Sequence, residues 1–357
     1  MNCHPKVCVT GGSGYIGSWL INKLLHKGYI VHATLRNLKD ESKVELLKSF
    51  PNAETNLVLF EADLERTNDF EEAIHGCEYV FHVATPTQHN PQSSQYKDKV
   101  EATVAGAKNI VEACIRSKTV KRLIYTASVM AASPLNEDGH SFKSCMDESC
   151  WTPFDLSFSY GNDYVMGYTK GKTLAEKEIL KYNNMELDGA KFEVVTLACG
   201  LVGGDTVLSY LPITIEVICS QILESLFGYN HGLRFMQQVL GSIPMVHIDD
   251  VCEAHIFCME NPEVNGRFLC AVANPTSRDI ALYFQQHHPQ FKIQDSFMGE
   301  TEGEIKLDSS KLSKLGFVYK YDLKTILDES LECVKRLGDF SRQYEPWLCT
   351  KIIAAQE

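Results

Sequence analysis

The chain has no excess of positive charge. Its 34 lysines and arginines face 46 aspartates and glutamates, a formal net charge of −12 over 357 residues. An acidic surface argues against nucleic acid or anionic membrane as a main partner. Long hydrophobic runs are also missing. Stretches such as 210–219 are too short to cross a bilayer and carry polar breaks, so no membrane insertion is expected. Among the 13 cysteines there is no Cys-x-x-Cys pair, and their number is odd. That pattern fits neither a disulfide scaffold nor a zinc set. Cys145 and Cys150 are the closest pair expected at the surface, and nothing nearby completes a metal site. Reduced, mostly buried thiols in a cytoplasmic protein are expected. Residues 1–6 run straight into a strand pattern, where no secretory signal fits. No internal repeat or low-complexity stretch occurs.

What the chain does have is 44% hydrophobic residues, ample for a large core. Near its start, Val9-Thr10-Gly11-Gly12-Ser13-Gly14-Tyr15-Ile16-Gly17 stands between a short apolar strand at 6–10 and a helical pattern through Trp19, Leu20, Leu24 and Leu25. Glycines 11, 14 and 17 let the backbone turn tightly beside a pyrophosphate. The helix N-terminus supplies free N–H groups and partial positive charge. Gly11, Ser13, Gly14, Tyr15 and Ile16 are the expected cofactor contacts of this turn. Strand patterns follow at 29–35, 57–60, 79–84, 123–126 and 192–197, with helices at 70–74, 100–115 and 165–181. This alternation predicts an α/β fold, a doubly wound parallel sheet of the Rossmann type. Residues 1–200 are expected to form the NADP-binding domain. Residues 201–357 form a smaller, mixed, mainly substrate-binding part, with about 246–272 returning to the first.

An acid usually ends strand two and holds the ribose 2′-hydroxyl of NAD. Here Thr34-Leu35-Arg36 supplies none. Arg36 can stack on adenine and fork onto a 2′-phosphate, and Lys43 can reach the same group. NADP(H) is therefore expected. Asp63-Leu64, after strand three, fits a cap on the adenine, and Asp63 can also be a helix N-cap.

Hydride delivery to a carbonyl needs an acid to protonate the oxygen. Tyr168 and Lys172 stand four apart on a predicted helix and share a face. No other tyrosine has a lysine four residues later. A buried ammonium beside the phenol is expected to lower its pKa. Ser128, just after a strand at the ligand-binding edge, can hold the substrate oxygen.

These pieces resemble the extended short-chain dehydrogenase/reductases, specifically the plant dihydroflavonol reductase and anthocyanidin reductase group. The matching motifs are the glycine turn, Phe81-His82-Val83-Ala84-Thr85-Pro86, residues 117–122, Lys172-Thr173-Leu174-Ala175-Glu176-Lys177, residues 246–251 and residues 254–257. Similarity runs from about residue 6 to about residue 337. The resemblance implies a catalytic set of Ser128, Tyr168 and Lys172, a 2′-phosphate site at Arg36 and Lys43, and a nicotinamide-ribose pocket at Val83, Ala84 and Thr85. It also implies NADPH-dependent reduction of flavonoid and related phenolic carbonyls, sometimes of conjugated C=C systems. The chain departs from the group at several points. Ala127 replaces the first serine of Thr-Ser-Ser, Gly171 replaces a serine, and Ala198 replaces a proline. Ser133 stands where an asparagine often meets the substrate ring, and residues 340–357 extend past the usual end.

Residues 129–133, 158–164 and 201–236 are the expected substrate walls. Met130, Ser133, Tyr164 and Tyr210 are the leading contacts, with Tyr160, Phe227 and Met236 beside them. Low charge there suits an apolar, aromatic small molecule. His82, His247 and His255 lie in apolar runs and are expected to be satisfied core histidines, and Asp249-Asp250 a structural pair. No metal is expected, and the chain should be a monomer or weak homodimer. A C=C or C=N reductase, a non-catalytic NADP(H)-binding regulator and a sugar-nucleotide epimerase are the alternatives.

Overall fold

The computed structural model describes residues 5–86, 95–154, 156–187, 189–223, 229–293, 297–298 and 305–338. Phe227 and the segment 340–357 lie outside the described residues. The strands are β1 (Lys6–Thr10), β2 (Ile30–Leu35), β3 (Leu57–Glu61), β4 (Tyr79–His82), β5 (Arg122–Ser128), β6 (Cys145–Met146), β7 (Met185–Leu187), β8 (Ala190–Cys199), β9 (Leu201–Gly203), β10 (Met245–His247), β11 (Gly266–Cys270) and β12 (Lys306–Leu307). The helices are α1 (Tyr15–His26), α2 (Glu41–Lys48), α3 (Ala53–Asn56), α4 (Glu71–Ile74), α5 (Lys99–Ser117), α6 (Asp163–Leu180), α7 (Ile213–Cys219), α8 (Asn230–Leu240), α9 (Ile248–Glu260), α10 (Ser277–His287), α11 (Ser310–Lys314) and α12 (Leu323–Leu337).

The main sheet has the order β11-β8-β5-β4-β1-β2-β3, all parallel, with β7 antiparallel on β8. Helices cover both faces, so its strands carry apolar residues at consecutive positions. Val7, Val9, Phe81, Ile124 and Val195 pack toward α1 and α9. Cys8, Val80, Leu123, Tyr125 and Val194 pack toward α5 and α6. β9 and β10 make a small separate parallel pair, as do β12 and β6.

Strand ends set the site. β4 stops at His82, two residues before the sequence pattern suggests, because the N–H groups of Val83 and Ala84 bond the Thr10 side chain instead of a strand (3.1 Å each). β5 and β8 run longer than expected, since all seven residues of β5 pair with Glu193–Cys199. Gly171 brings α5 and α6 close together: a methyl group there would stand 3.3 Å from Thr103. Cys150 is buried rather than exposed, and its thiol turns to the Cys145 carbonyl.

Candidate active site

The glycine turn joins β1 to α1. Gly11 takes φ +70°, its N–H bonds Thr34 Oγ1 at 3.3 Å, and Gly12 N–H bonds Thr34 O at 2.9 Å. A Cβ on Gly17 would lie 2.3 Å from Gly11 O, so only glycine closes this loop. Gly14 caps α1 without a side chain, and no acid stands in the first turn. The first N–H groups of a 12-residue helix are thus left for an outside anion. Tyr15 faces elsewhere: its hydroxyl donates to Asp205 O at 2.9 Å.

Arg36 follows β2 directly, is exposed, and has no side-chain partner among the described residues. Lys43, in the first turn of α2, pairs with Asp40 at 2.7 Å. Glu61, ending the neighbouring β3, accepts from Leu38 N–H at 3.1 Å. Asp63 caps no helix. Its carboxylate accepts from Glu65 N–H two residues on (3.1 Å), a turn rather than a helix start, and α4 begins only at Glu71. Leu64 is buried against Gly106 of α5, part of the core.

Ser128 ends β5, and α6 carries Tyr168 and Lys172 across from it. Asn162 caps α6 by accepting from Val165 N–H at 3.0 Å, which fixes where the helix starts. The Tyr168 hydroxyl faces the Ser128 side chain, close enough for Ser128 to favour its ionised form. Ser128 Oγ also accepts from Met130 N–H at 3.2 Å. Lys172 Nζ donates to Thr126 O at 2.6 Å and to Thr85 Oγ1 at 3.3 Å. The structure therefore brings Ser128, Tyr168, Lys172 and Thr85 together at the carboxyl edge of the sheet.

The expected acidity of the phenol is corrected. Burial raises the Tyr168 pKa above its ordinary 10, and the neighbouring Ser128 side chain offsets only part of that. Lys172 is pushed down to about 8, first by burial, with Glu176 and Cys199 pulling it back. Desolvation outweighs the pairing assumed from spacing alone.

The candidate substrate residues differ in their surroundings. Met130 is buried, and its carbonyl accepts from Thr152 Oγ1. Ser133 is corrected as a substrate contact. It is fully buried, donates its only hydroxyl proton to Val239 O and accepts from Leu135 N–H, so the hydroxyl is turned into the protein. Tyr164 lies one turn before Tyr168 with Lys99 Nζ 3.9 Å from its ring centre, and Tyr210 is 46% exposed. Tyr160 is drawn to α8 by Arg234 (3.0 Å), and Met236 is core. A cavity of about 250 Å³ opens on the face of α6 turned away from Tyr168, lined by Phe154, Phe158, Met166, Lys170 and Phe235.

Sequence reasoning missed Thr10, whose hydroxyl orders the 82–84 loop, and the buried pair Arg267–Glu176 (3.0 Å) one turn beyond Lys172. Thr10 precedes the glycines and was within reach of a local reading. Arg267 and Glu176 are 91 residues apart, and no pattern links them.

Residues 8–222 match the model of the 3-beta hydroxysteroid dehydrogenase/isomerase family. The chain belongs to that family. It is 37% identical over 334 residues to a putative anthocyanidin reductase of Ginkgo biloba, covering 93% of this chain and 95% of that one. It is 36% identical over 339 residues to a dihydroflavonol 4-reductase of Callistephus chinensis, covering 94% and 87%. The crystal structure of vestitone reductase from alfalfa superposes with a TM-score of 0.74 at 34% identity, covering 94% of this chain and 99% of that one. This reductase group is the one the sequence motifs pointed to.

The histidines are core groups. His255 bonds Thr126 Oγ1 and Val251 O at 2.7 Å each, and His247 stacks on Tyr321 and bonds Glu329. Asp249 pairs with Lys23, and Asp250 accepts from Lys320 and Tyr321 N–H. Burial lowers His255 from 6.5 to about 4 and His82 to about 3. The unfolded chain binds these protons first, so stability is lost as pH falls from about 6.5 toward 4. The slope is up to about 1.4 kcal/mol per pH unit for each histidine. Urea unfolding across that range should show the loss, and a His255→Gln variant should remove His255's share of it, leaving that of His82.

Proposed function

We propose that this oxidoreductase uses NADPH to reduce a carbonyl of a phenolic, flavonoid-type substrate. One observation carries the reading: Tyr168 faces Ser128, and Lys172 bonds the Thr126 carbonyl of the same strand, at the carboxyl edge of the sheet where the glycine turn also lies. The uncapped first turn of α1 and the unpartnered Arg36 suit a dinucleotide with a 2′-phosphate. When bound, the cofactor supplies the hydride. Ser128 then holds the substrate oxygen, and the Tyr168 hydroxyl gives it a proton. Lys172, donating to Thr126 O and Thr85 Oγ1, keeps positive charge near the phenol. Val83 and Ala84, held by Thr10, are the proposed wall of the nicotinamide-ribose pocket. Residues 1–200 form the proposed cofactor domain, with β11 added to its sheet from later in the chain. A cytoplasmic location is part of the proposal, supported by eleven free cysteines among the described residues.

The test is NADPH oxidation against dihydroflavonols, anthocyanidins, isoflavanones and alkaloid iminium compounds, with product masses. The masses separate C=O from C=C and C=N reduction, and cofactor binding with no turnover on any of them would overturn the proposal. Replacing Arg36 by alanine should raise the KM for NADPH by about 10- to 100-fold, as expected for losing a charged hydrogen bond worth about 1.5–3 kcal/mol. NADH kinetics should hardly change. An equal effect on both cofactors would remove Arg36 from the 2′-phosphate site.

A further inference from the structure

The ammonium of Lys172 has three protons to place. Thr126 O takes one at 2.6 Å and Thr85 Oγ1 another at 3.3 Å. No carboxylate among the described residues bonds the ammonium. Glu176, one turn along α6, is fully buried and spent on Arg267 and on Thr196 Oγ1 at 2.6 Å. On its remaining side the ammonium rests 4.4 Å from the centre of the Tyr125 ring. Tyr125 is 1% exposed, so water does not compete for this contact. A cation over an aromatic face gains most where both are desolvated.

The ring is itself held. His82 is its cross-strand neighbour on β4 and lies 5.3 Å away, inclined 33°. The Thr10 hydroxyl accepts from two backbone N–H groups, which leaves its proton for His82 Nδ1 at 2.9 Å. That bond fixes His82 as the neutral tautomer with hydrogen on Nε2. A charged ring there would repel Lys172, and burial holds His82 far below neutral pH.

We propose that Tyr125 is a positioning residue whose ring face, locked by His82 and Thr10, keeps the Lys172 ammonium charged and in place in the cofactor-free protein. If Lys172 serves the reduction as proposed above, this contact sets the charge that Tyr168 meets. The groups facing Lys172 are Glu176 one turn along α6, His82 and Thr85 on and after β4, Tyr125 and the Thr126 carbonyl on β5, and Cys199 on β8. Among the described residues, none besides Tyr125 offers an aromatic face to the ammonium.

The test reads Lys172 directly and needs no turnover. The full chain is made with lysine isotope-labelled at Cε, and the Lys172 resonance is assigned by its loss in Lys172→Met. It is then titrated in the parent, in Tyr125→Phe, and in chains carrying phenylalanines of increasing fluorination at position 125. Fluorine drains the ring face without changing its shape, so the core stays filled, and the other lysine resonances report the fold. Tyr125→Phe should titrate with the parent. Each added fluorine should lower the Lys172 pKa, by about one unit in all. Titration independent of fluorination would overturn the proposal, as would a Tyr125→Phe shift as large as that of Tyr125→Leu. Because the readout is a proton and not a product, failure here is distinct from failure of the substrate screen.

Discussion

Replacing Tyr168 with phenylalanine is expected to lower kcat by about 10²- to 10⁴-fold, the usual contribution of a positioned general acid. The ring stays, so packing on α6 and NADPH binding should be nearly unchanged. The lost atom is the hydroxyl that faces Ser128. The measurement is single-turnover NADPH oxidation with the best substrate from the screen, with circular dichroism as the fold control. Turnover within tenfold of the parent would sink the assignment. The pH profile carries a related expectation. With Tyr168 raised above 10 by burial, the phenol keeps its proton throughout the neutral range. Lys172, lowered to about 8, is the first of the two to lose one. kcat/KM for reduction, which reports the free enzyme, should therefore fall above about pH 8 and hold below it.

Arg267→Met is expected to cost at least about 5 kcal/mol of stability, more than Glu176→Gln at about 3–5 kcal/mol. Both residues are almost wholly buried. Arg267 forks onto Glu176 at 3.0 and 3.2 Å, and its other donors go to Ala131 O at 3.1 Å, Glu148 O at 2.8 Å and Cys150 O. Its guanidinium also lies 3.6 Å over the Trp151 ring. Removing Arg267 leaves the Glu176 carboxylate with Thr196 alone and takes the donor from the Glu148 and Cys150 carbonyls, while Ala131 O keeps Thr152 N–H at 3.2 Å. Removing the Glu176 charge leaves a guanidinium that still has its carbonyls. A double neutral variant should regain only part of the loss, because the carbonyls stay unpaired. Urea unfolding checks the order, and an Arg267→Met midpoint equal to the parent's would refute it. Since Ala131 closes the short turn after Ser128, this pair also ties that turn to the helix bearing Tyr168 and Lys172.

Much of the candidate site is legible in the chain because it is made of local patterns. The glycine turn needs only neighbours, and a Cβ at Gly17 would collide with Gly11, six residues away. Tyr168 and Lys172 share a face by helical spacing, and Arg36 is placed by the end of a strand. Asp63 misled a local reading because an aspartate fits an Asx turn as well as a helix start, and which one forms depends on where α4 begins. Ser133 misled it because a small polar residue near an expected pocket can equally be buried. Here the Val239 carbonyl, 106 residues away, takes its proton.

The amino-acid sequence alone determined the parallel sheet, the cofactor turn, the absent ribose acid and the Ser128, Tyr168 and Lys172 set, since periodicity and short-range spacing encode each of them. Tertiary structure alone decided the protonation of that set and what braces it. Whether a phenol is made acidic by an ammonium or held neutral by burial depends on how much water the folded chain excludes. Arg267 on Glu176 and Tyr125 under Lys172 are contacts between segments that only the packed sheet brings together.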